Sequence, residues 1–295
     1  MIMQNCQICG GKSEAVRTFS KRGTETLNLN QCVACNAEYL SPQPSDVWLG
    51  EEYSQYYHKR SAGMARPKLA FFKSMLKQSG FDFNGKKILE VGSGEGDCVA
   101  ALNELWPDAR ITAVESNSES KEHYRALRCQ LVQKSLEEFL REPTGEPFDF
   151  VLLFDLIEHL RNPAETLGKV IKNQLAPEGK LVATFPNADS FSRHSLGSLW
   201  PQYKVEHLFY FSKKSVEVLT DRLQMQTIEL SPLKKKFPIG YVVSVGSHFG
   251  PKAVQSLTSA AGRLIPPPIL KSAIPLAFGE WLWIAQKNSS ITPTA

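Results

Sequence analysis

The chain has 295 residues, of which 42% are hydrophobic and 22% are charged. This length accommodates one large domain with a small appendage, or two modest domains, and the composition excludes disordered, collagen-like and disulfide-dense chains. Lys and Arg (34) exceed Asp and Glu (30) by four, and the longest basic run is Lys234–Lys236. So small and dispersed a basic excess does not by itself indicate a nucleic-acid-binding protein.

Two Cys-x-x-Cys pairs lie near the N-terminus, at Cys6 and Cys9 and at Cys32 and Cys35. Each pair can direct two thiolates at one point, so the two pairs together supply the four ligands of a tetrahedral zinc ion. Glycines follow the first pair and Asn36 follows the second, and both residue types tolerate the left-handed backbone of a tight turn. We therefore expect a structural zinc site, closed by four sulfur ligands, rather than redox-active or incidental cysteines.

The remaining cysteines, Cys98 and Cys129, have no partner in the sequence pattern and are expected to be ordinary buried residues. The first residues show neither the basic region nor the apolar segment of a secretory signal. A reducing cytoplasmic location is therefore expected, and there paired thiols favour a metal over a disulfide.

Changes of pattern divide the chain into four parts. Short strand-like runs end at Pro42 and Pro44, and Ser45 is the expected N-cap of the helix that follows. We expect a zinc-binding module over residues 1–45 and a helical connector or lid over residues 46–80. A large domain over residues 81–235 and a C-terminal extension over residues 236–295 are expected to follow.

Within the large domain, apolar runs alternate with helical patterns. The run at Phe148–Phe154 is nearly continuous, as in a parallel strand covered on both faces. Such alternation predicts βαβ units and an open α/β sheet. The predicted strands are Lys87–Val91, Arg110–Val114, Phe148–Phe154 and Lys180–Phe185, and the predicted helices include Asp97–Trp106, Ser118–Leu127, one starting at Pro163, and Lys213–Arg222.

The C-terminal segment from Leu264 to Ala285 is largely apolar, but it contains Lys271, Glu280 and four prolines. Those prolines break any single membrane-spanning helix. We favour a buried cover over the functional cavity, with a last sheet strand at Trp281 to Ala285. The alternative, a contact of residues 240–285 with a membrane surface, is not favoured.

A glycine-rich turn follows the first strand of the large domain and contains Gly92, Ser93, Gly94 and Gly96. Such glycines let a ligand approach the backbone N–H groups at a helix N-terminus. The G-x-G-x-G spacing differs from the dinucleotide fingerprint, and Glu90 stands two residues before the first glycine. That acid is awkward beside a pyrophosphate but suits an ammonium group. S-adenosylmethionine carries an α-amino group and a sulfonium, and it has no phosphate.

Glu115 ends the second strand, where a carboxylate can accept both hydroxyls of a ribose. A third element, Gln133–Glu137, offers a side chain and a backbone N–H to the edge of an adenine. The glycines alone would also fit an ordinary tight turn. Glu90 and Glu115 in register with them favour the cofactor site.

These residues resemble the class I S-adenosylmethionine-dependent methyltransferases over residues 68–231. The matching segments are Ile88–Asp97, Val114–Glu115, Phe148–Asp149, Phe154–Leu160, Pro177–Leu181 and Phe185–Asn187. Together with the paired cysteines and His207–Ser212, they look like a bacterial subgroup with an N-terminal zinc module. That subgroup includes nucleotide-sugar C-methyltransferases of deoxysugar pathways.

The resemblance implies a doubly wound, mostly parallel seven-stranded Rossmann-like sheet, with methyl transfer at the carboxyl edge of its strands. It implies that the glycine turn holds the methionine part of the cofactor and that Glu115 holds the ribose. Ser135 and Leu136 would flank the adenine, and Asp155 would lie near the methionine end. Ser135 departs from the Asp that is common at its position in the family.

Methyl transfer requires an aligned acceptor and, for a weak nucleophile, a group that removes its proton. The candidate catalytic residues are Glu158 and His159, just after the fourth strand, and His207 and Tyr210, before the helix at Lys213–Arg222. A supporting role for Glu158 and structural packing of the histidines and of Tyr210 are the alternatives.

The expected function is transfer of a methyl group to a small-molecule acceptor, such as a (deoxy)sugar nucleotide or another secondary metabolite, by base-assisted C- or O-methylation. The alternative is a protein that binds or methylates RNA through its zinc ribbon. Residues 1–45 carry four basic and three acidic side chains, which disfavours a surface that follows phosphates.

Overall fold

The computed structural model describes residues 5–60, 67–142, 145–240 and 264–287, with a few single positions between 243 and 262. The strands are β1 Ser13–Arg22, β2 Glu25–Cys32, β3 Glu38–Ser41, β4 Lys87–Val91, β5 Arg110–Val114, β6 Gln130–Val132, β7 Phe148–Phe154, β8 Leu175–Pro186, β9 Phe209–Tyr210, β10 Met225–Pro238 and β11 Ala273–Lys287. The helices are α1 Asp46–Arg60, α2 Pro67–Gln78, α3 Asp97–Leu105, α4 Leu136–Phe139, α5 Pro163–Gln174, α6 Phe191–Leu196, α7 Lys213–Arg222 and α8 Pro267–Lys271.

The large sheet has seven strands in the order β10-β11-β8-β7-β4-β5-β6. Strands β4 to β8 pair in parallel with one another, whereas β11 runs antiparallel to both β8 and β10. The mostly parallel α/β sheet predicted from the alternating pattern is thereby confirmed. Since parallel strands all end at one edge, the loops that follow them meet there.

Successive side chains of each central strand face opposite sides of the sheet, and each side has its own core. Ile88 and Phe150 pack with residues of α2 and α3, whereas their neighbours Leu89 and Val151 pack with residues of α5 and α7. Helices on both faces explain why β7 is a continuous apolar run. The doubly wound arrangement thus follows from the sequence of its strands.

The N-terminal module shares both a sheet and a core with the large domain. Its strands β1, β2 and β3 form a four-stranded sheet whose fourth member is β9, from residues 209–210. Glu38 lies opposite Tyr210 in this pairing, and Tyr39 lies opposite Phe209. The backbone N–H of Leu40 also donates to the carbonyl of Leu208 at 3.0 Å. The sheet therefore crosses the predicted boundary at residue 45.

The helical connector begins where the sequence predicts. The hydroxyl of Ser45 accepts the backbone N–H of Trp48 at 3.2 Å, which is the expected N-cap contact. In α2, Phe72 packs against Phe154 at the end of β7, with ring centroids 5.4 Å apart. The connector thus lies against the carboxyl edge of the sheet.

The C-terminal part contributes two strands of the large sheet. The predicted last strand is confirmed as β11, which lies between β8 and β10, and the boundary predicted at residue 235 falls inside β10. Most of residues 241–263, on which the predicted cover and the alternative membrane contact depend, lie outside the described residues. None of the helices in the described part of the chain has the length and apolarity to cross a membrane.

One predicted helix is shorter and tighter than expected. Residues Ser118–Tyr124 form a 3₁₀ helix instead of an α-helix extending to Leu127. Asn117 caps its start by accepting the N–H of Glu119 at 3.0 Å. Leu127, beyond its end, packs over the glycine turn instead. The two helix types differ in period, with about 3.0 and about 3.6 residues per turn, but a segment of seven residues is too short for the apolar pattern to distinguish them.

A buried ion pair joins the N-terminal module to the loop region after β8. Glu38 is 1% exposed, accepts the hydroxyl of Tyr203 at 2.7 Å and pairs with Arg193, which is 25% exposed. Removal of one partner from such a pair leaves a buried charge without compensation. Arg193 therefore stabilises the docking of the module.

We expect Arg193→Met to lower the free energy of unfolding by about 3 kcal/mol, because it leaves the Glu38 carboxylate buried beside Tyr203 alone. The matched control is Lys169→Met, which removes a cation from an exposed ion pair with Glu165 on α5. That control is expected to lower the free energy of unfolding by less than about 0.5 kcal/mol. Urea unfolding measures both, and equal losses would contradict the assignment.

Candidate active site

A cavity of about 590 Å³ opens at the carboxyl edge of the parallel strands. Its size lies within the range of ligand-binding cavities. The predicted site residues that line it are Glu90, Gly92, Ser93, Gly94, Glu115, Asp155, Glu158, His159 and His207. The structure thus brings together residues that are up to 117 positions apart in the chain, as their positions after parallel strands imply.

The glycine turn requires glycine for both its backbone and its packing. Gly92, Gly94 and Gly96 have φ angles of 71°, 57° and 77°, in the left-handed region that side chains disfavour. A Cβ on Gly96 would also lie 2.6 Å from Cδ1 of Leu127. Gly96, which does not line the cavity, therefore shapes the turn, while Gly94 faces open space.

Glu115 is held in one orientation at the end of β5. Its two carboxylate oxygens accept the backbone N–H of Gly94 at 2.7 Å and that of Asn117 at 2.8 Å. A carboxylate has about four acceptor positions, so two remain after these bonds. The orientation is therefore fixed by the backbone, and capacity is left for two hydroxyl donors.

Glu90 is a buried carboxyl group at the floor of the cavity. It is 3% exposed, and its Oε2 has no hydrogen-bond partner among the described residues. Burial raises the pKa of Glu90 to about 8; the negative charge of Glu115 adds to the rise, and a hydrogen bond from Cys98 opposes it. A ligand cation at this point would stabilise the ionised form.

Ser135 and Leu136 do not line the cavity. Ser135 is the N-cap of α4, and its hydroxyl and backbone N–H are engaged in a reciprocal capping box with Glu138. The cavity wall next to Glu115 is formed instead by Ser116 and Asn117. The predicted contacts of Ser135 and Leu136 with adenine stay predictions.

Asp155 follows β7 and stays ionised although it is buried. Its carboxylate accepts the hydroxyl of Thr184 at 3.0 Å, and its backbone has a φ angle of 49°. Burial alone would raise the pKa of Asp155, but the charges of Lys235 and Lys68 outweigh it and leave the pKa below its usual value. The pKa of Asp155 is thus shifted in the opposite direction to that of Glu90 in the same cavity.

An ion pair between Lys235 and Glu280 closes one side of the cavity. Glu280 also accepts the side-chain N–H of Gln202 at 3.1 Å, and the ammonium of Lys235 lies 5.0 Å from the ring centre of Phe71. The sequence pattern does not reveal this pair, since Lys235 lies in a basic run that is typical of an exposed segment. Only the pairing of β10 with β11 brings the two residues together.

His159 has a defined hydrogen-bonding arrangement. Its Nδ1 lies 2.8 Å from the backbone carbonyl of Glu206 and 3.2 Å from the hydroxyl of Tyr53. Because a carbonyl only accepts, Nδ1 carries the proton and the lone pair is on Nε2. Burial lowers the pKa of His159 to about 4, so the ring is neutral near pH 7.

Glu158 and His207 complete a buried cluster with His159. The rings of the two histidines are nearly perpendicular, with centroids 4.9 Å apart. One ligand atom from each of the three residues lies within 4.8 Å of the others. Burial raises the pKa of Glu158 and lowers that of His207. All three residues line the cavity, and we call the part that they form the acceptor end and the part at the glycine turn and Glu115 the cofactor end.

Tyr210 lies outside the cavity, in contrast to its expected place among the catalytic residues. Its side chain is fully buried, and its hydroxyl donates to the carbonyl of Lys204 at 3.0 Å and accepts the N–H of the same residue at 3.2 Å. It therefore supports the loop that carries Lys204 and His207.

The four cysteines of the N-terminal module form a compact cluster. All four sulfur atoms lie within 4.8 Å of one another, with Cys6 to Cys35 at 3.7 Å and Cys9 to Cys32 at 3.3 Å. Tetrahedral zinc with Zn–S bonds of about 2.3 Å places its sulfurs about 3.8 Å apart. Gly10 and Asn36 have left-handed φ angles of 76° and 59°, as the sequence predicts for the turns. The donor set therefore fits zinc.

A family model described as a methyltransferase domain matches residues 56–230, more than half of the chain. The chain belongs to this family. Its sheet, with a glycine turn after the first parallel strand and an acid after the second, is that of a class I methyltransferase dependent on S-adenosylmethionine.

Similar proteins include (S)-coclaurine N-methyltransferase from Thalictrum flavum subsp. glaucum, which is 25% identical over 115 residues. That match covers 38% of this chain and about a third (32%) of the relative. Among solved structures, the plantazolicin methyltransferase BpumL, in complex with a triazolic desmethylPZN analogue and SAH, has a TM-score of 0.50 at 17% identity, covering 81% of this chain and 91% of that one.

A methyltransferase from Archaeoglobus fulgidus, described as SAM-dependent, has a TM-score of 0.50 at 15% identity. The similarity covers 80% of this chain and all of that one. At these identities the solved structures support the fold alone.

Burial of Glu90 predicts a pH-dependent stability of the free protein. Because the folded pKa of about 8 exceeds the ordinary glutamate pKa of 4.5, the stabilising contribution of the protonated group is complete below about pH 4.5 and is lost as pH rises through about 8. At pH 9 the free energy of unfolding of Glu90→Gln should therefore exceed that of the parent chain by on the order of 3 kcal/mol. At pH 5 this difference should be much smaller. Thermal unfolding at both values measures this, with exposed Glu137→Gln as control; a difference that does not grow with pH would disprove it.

Proposed function

We propose that the protein transfers the methyl group of S-adenosylmethionine to a small-molecule acceptor by C- or O-methylation. The observation that carries this proposal is one cavity that joins the glycine turn and Glu115 to the cluster of Glu158, His159 and His207. The two ends provide for a cofactor and an acceptor side by side, as transfer between them requires.

The cofactor end offers partners for the ammonium, the ribose and the sulfonium of S-adenosylmethionine. Glu90 can accept the ammonium, which would supply the partner that its Oε2 lacks. The remaining acceptor positions of Glu115 suit the two ribose hydroxyls. Asp155 adds a negative charge near the sulfonium, and Ser135 and Leu136 are proposed to contact the adenine.

The acceptor end supplies a proton acceptor. In the form with Nδ1 bonded to Glu206, His159 has the lone pair on Nε2 and can take a proton from a hydroxyl or from a carbon next to a keto group. The electron pair left on the acceptor attacks the methyl carbon, and the sulfonium becomes the neutral thioether. The protein then holds methylated acceptor, S-adenosylhomocysteine and one proton.

Two cationic side chains at this end could contact acidic groups of an acceptor. Lys68 and Lys204 line the cavity, whereas Lys235 is paired with the cavity residue Glu280. Tyr53 and Lys68 come from the two connector helices, so α1 and α2 contribute to the wall of the acceptor end. A (deoxy)sugar nucleotide or another secondary metabolite with acidic groups fits this environment.

We further propose that Cys6, Cys9, Cys32 and Cys35 hold a structural zinc ion. Zinc bound there would cross-link the two turns of the module without an open coordination position. The hydroxyl of Ser212 donates to the carbonyl of Cys35 at 2.9 Å, and β3 pairs with β9 nearby. The metal would therefore stabilise the strand that follows His207.

Calorimetric titration with S-adenosylmethionine tests the proposed activity. We expect sub-millimolar binding, weakened at least about tenfold in Glu115→Ala, because two charge-assisted hydrogen bonds are lost. Exposed Glu119→Ala, four residues away, is the matched control and should bind normally. No binding by the parent chain would refute the cofactor assignment. A screen of keto-deoxysugar nucleotides and phenolic acceptors with labelled cofactor then identifies the acceptor class.

The zinc proposal predicts one tightly bound zinc per chain by elemental analysis. Cys35→Ser should lose the metal and lower the melting temperature, since zinc contributes directly to the stability of such modules. Cys129→Ser, which changes a cysteine outside the cluster, should keep both the zinc and the melting temperature. Purified protein without zinc, or a Cys35→Ser variant with full zinc content, would be incompatible with the site.

A further inference from the structure

The cluster of Glu158, His159 and His207 has a property that a proton acceptor alone does not explain. Glu158 is 1% exposed and His207 is 5% exposed, and among the described residues the Oε2 of the first and the Nδ1 of the second have no hydrogen-bond partner. Buried polar atoms without partners are costly and uncommon in folded proteins. Two of them within one cluster indicate a missing common partner.

We propose that Glu158, His159 and His207 bind a divalent transition-metal ion at the acceptor end of the cavity. One donor atom from each residue lies within 4.8 Å of the other two, so the three side chains are close enough to converge on a single ion. This site is separate from the cysteine cluster and differs from it in chemistry, since it offers two imidazole nitrogens and one carboxylate oxygen.

The donor set and its surroundings favour a metal that acts on a ligand. Two histidines and one carboxylate bind Zn²⁺, Mn²⁺ and Fe²⁺ and leave coordination positions open, unlike four thiolates. All three residues line the cavity, so the open positions face the space proposed for the acceptor. The backbone carbonyl of Glu206 orients His159 through Nδ1, as is common for histidines that bind a metal.

The charges nearby are compatible with a cation. Asp155 carries a negative charge beside the cluster, and Glu206 also lines this part of the cavity. Lys204 opposes a cation, and the charge of Lys235 is compensated by its pair with Glu280. A divalent ion would keep Glu158 ionised and would provide a partner for both unpaired atoms.

This inference rests on the proposed methyl transfer for its setting and narrows the acceptor class. An acceptor with a carbonyl, enol or hydroxyl oxygen could complete the coordination and be polarised there. In that case the two histidines act as ligands, and the metal activates the acceptor oxygen in place of direct proton removal by His159.

Titration with Mn²⁺, followed by the electron paramagnetic resonance signal of the free ion, tests the site. Mn²⁺ suits oxygen and nitrogen ligands and disfavours thiolates, so the cysteine cluster does not interfere. We expect one Mn²⁺ per chain, with an affinity at least about tenfold lower in Glu158→Gln and in His207→Asn. Mutation of residues that only support the ligands of a metal site already lowers metal affinity about 10- to 100-fold. His194→Asn, an exposed histidine outside the cavity, should bind as the parent chain does.

Two results would overturn the proposal. One is the absence of Mn²⁺ binding by the parent chain at millimolar concentration, and the other is equal binding by the two ligand variants when their affinity for S-adenosylmethionine shows that they are folded. If either variant does not fold, the parent chain decides: bound Mn²⁺ should broaden the imidazole resonances of His159 and His207 and spare those of His123 and His194. Broadening of all four alike would refute the site.

The test separates this proposal from the proposed function. Loss of Mn²⁺ binding with retained binding of S-adenosylmethionine would remove the metal and leave the methyltransferase assignment intact. Mn²⁺ binding without binding of S-adenosylmethionine would leave the metal site intact and remove the methyltransferase assignment.

Discussion

The common carboxyl edge of the parallel strands is the constraint on which the cofactor half of the cavity depends. Gly92, Glu115 and Asp155 each follow a different strand, and backbone pairing brings all three strand ends to one place. The turns are then tied to neighbouring strands, since the N–H of Gly92 bonds to the carbonyl of Val114 and that of Asp155 to the carbonyl of Thr184, both at 2.9 Å. This half of the site is therefore as rigid as the sheet itself.

The acceptor half depends on a different and weaker pairing. Strand β9 has only two residues and could not persist alone, so its position is set by β3 of the N-terminal module on one side and by the shared core on the other. His207 precedes β9 directly, and the hydroxyl of Tyr210 fixes the loop at Lys204. The module thus has a structural reason to be part of this chain: it holds the segment that brings His207 to the cavity.

How far the sequence predicts this structure depends on how local each signal is. The strands Lys87–Val91 and Phe148–Phe154 have the predicted bounds, because an apolar run between breakers is visible within a few residues. The pairing of β3 with β9 joins residues about 170 positions apart, and no local pattern encodes it. The same is true of the Lys235–Glu280 pair. At Ser135 a local signal did exist, the capping box with Glu138, and it accounts for that side chain without a ligand.

Carboxyl groups in one cavity differ in charge because their partners differ. Asp155 faces Lys235, Lys68 and the hydroxyl of Thr184, and these keep it ionised despite burial. Among the described residues, no cation bonds to the unpaired oxygens of Glu90 and Glu158, and burial raises the pKa of each. A protein retains such groups only where something compensates their cost. The ammonium of the cofactor would compensate Glu90, and a metal ion would compensate Glu158. At each end of the cavity, a buried carboxyl oxygen without a hydrogen-bond partner therefore points to a ligand.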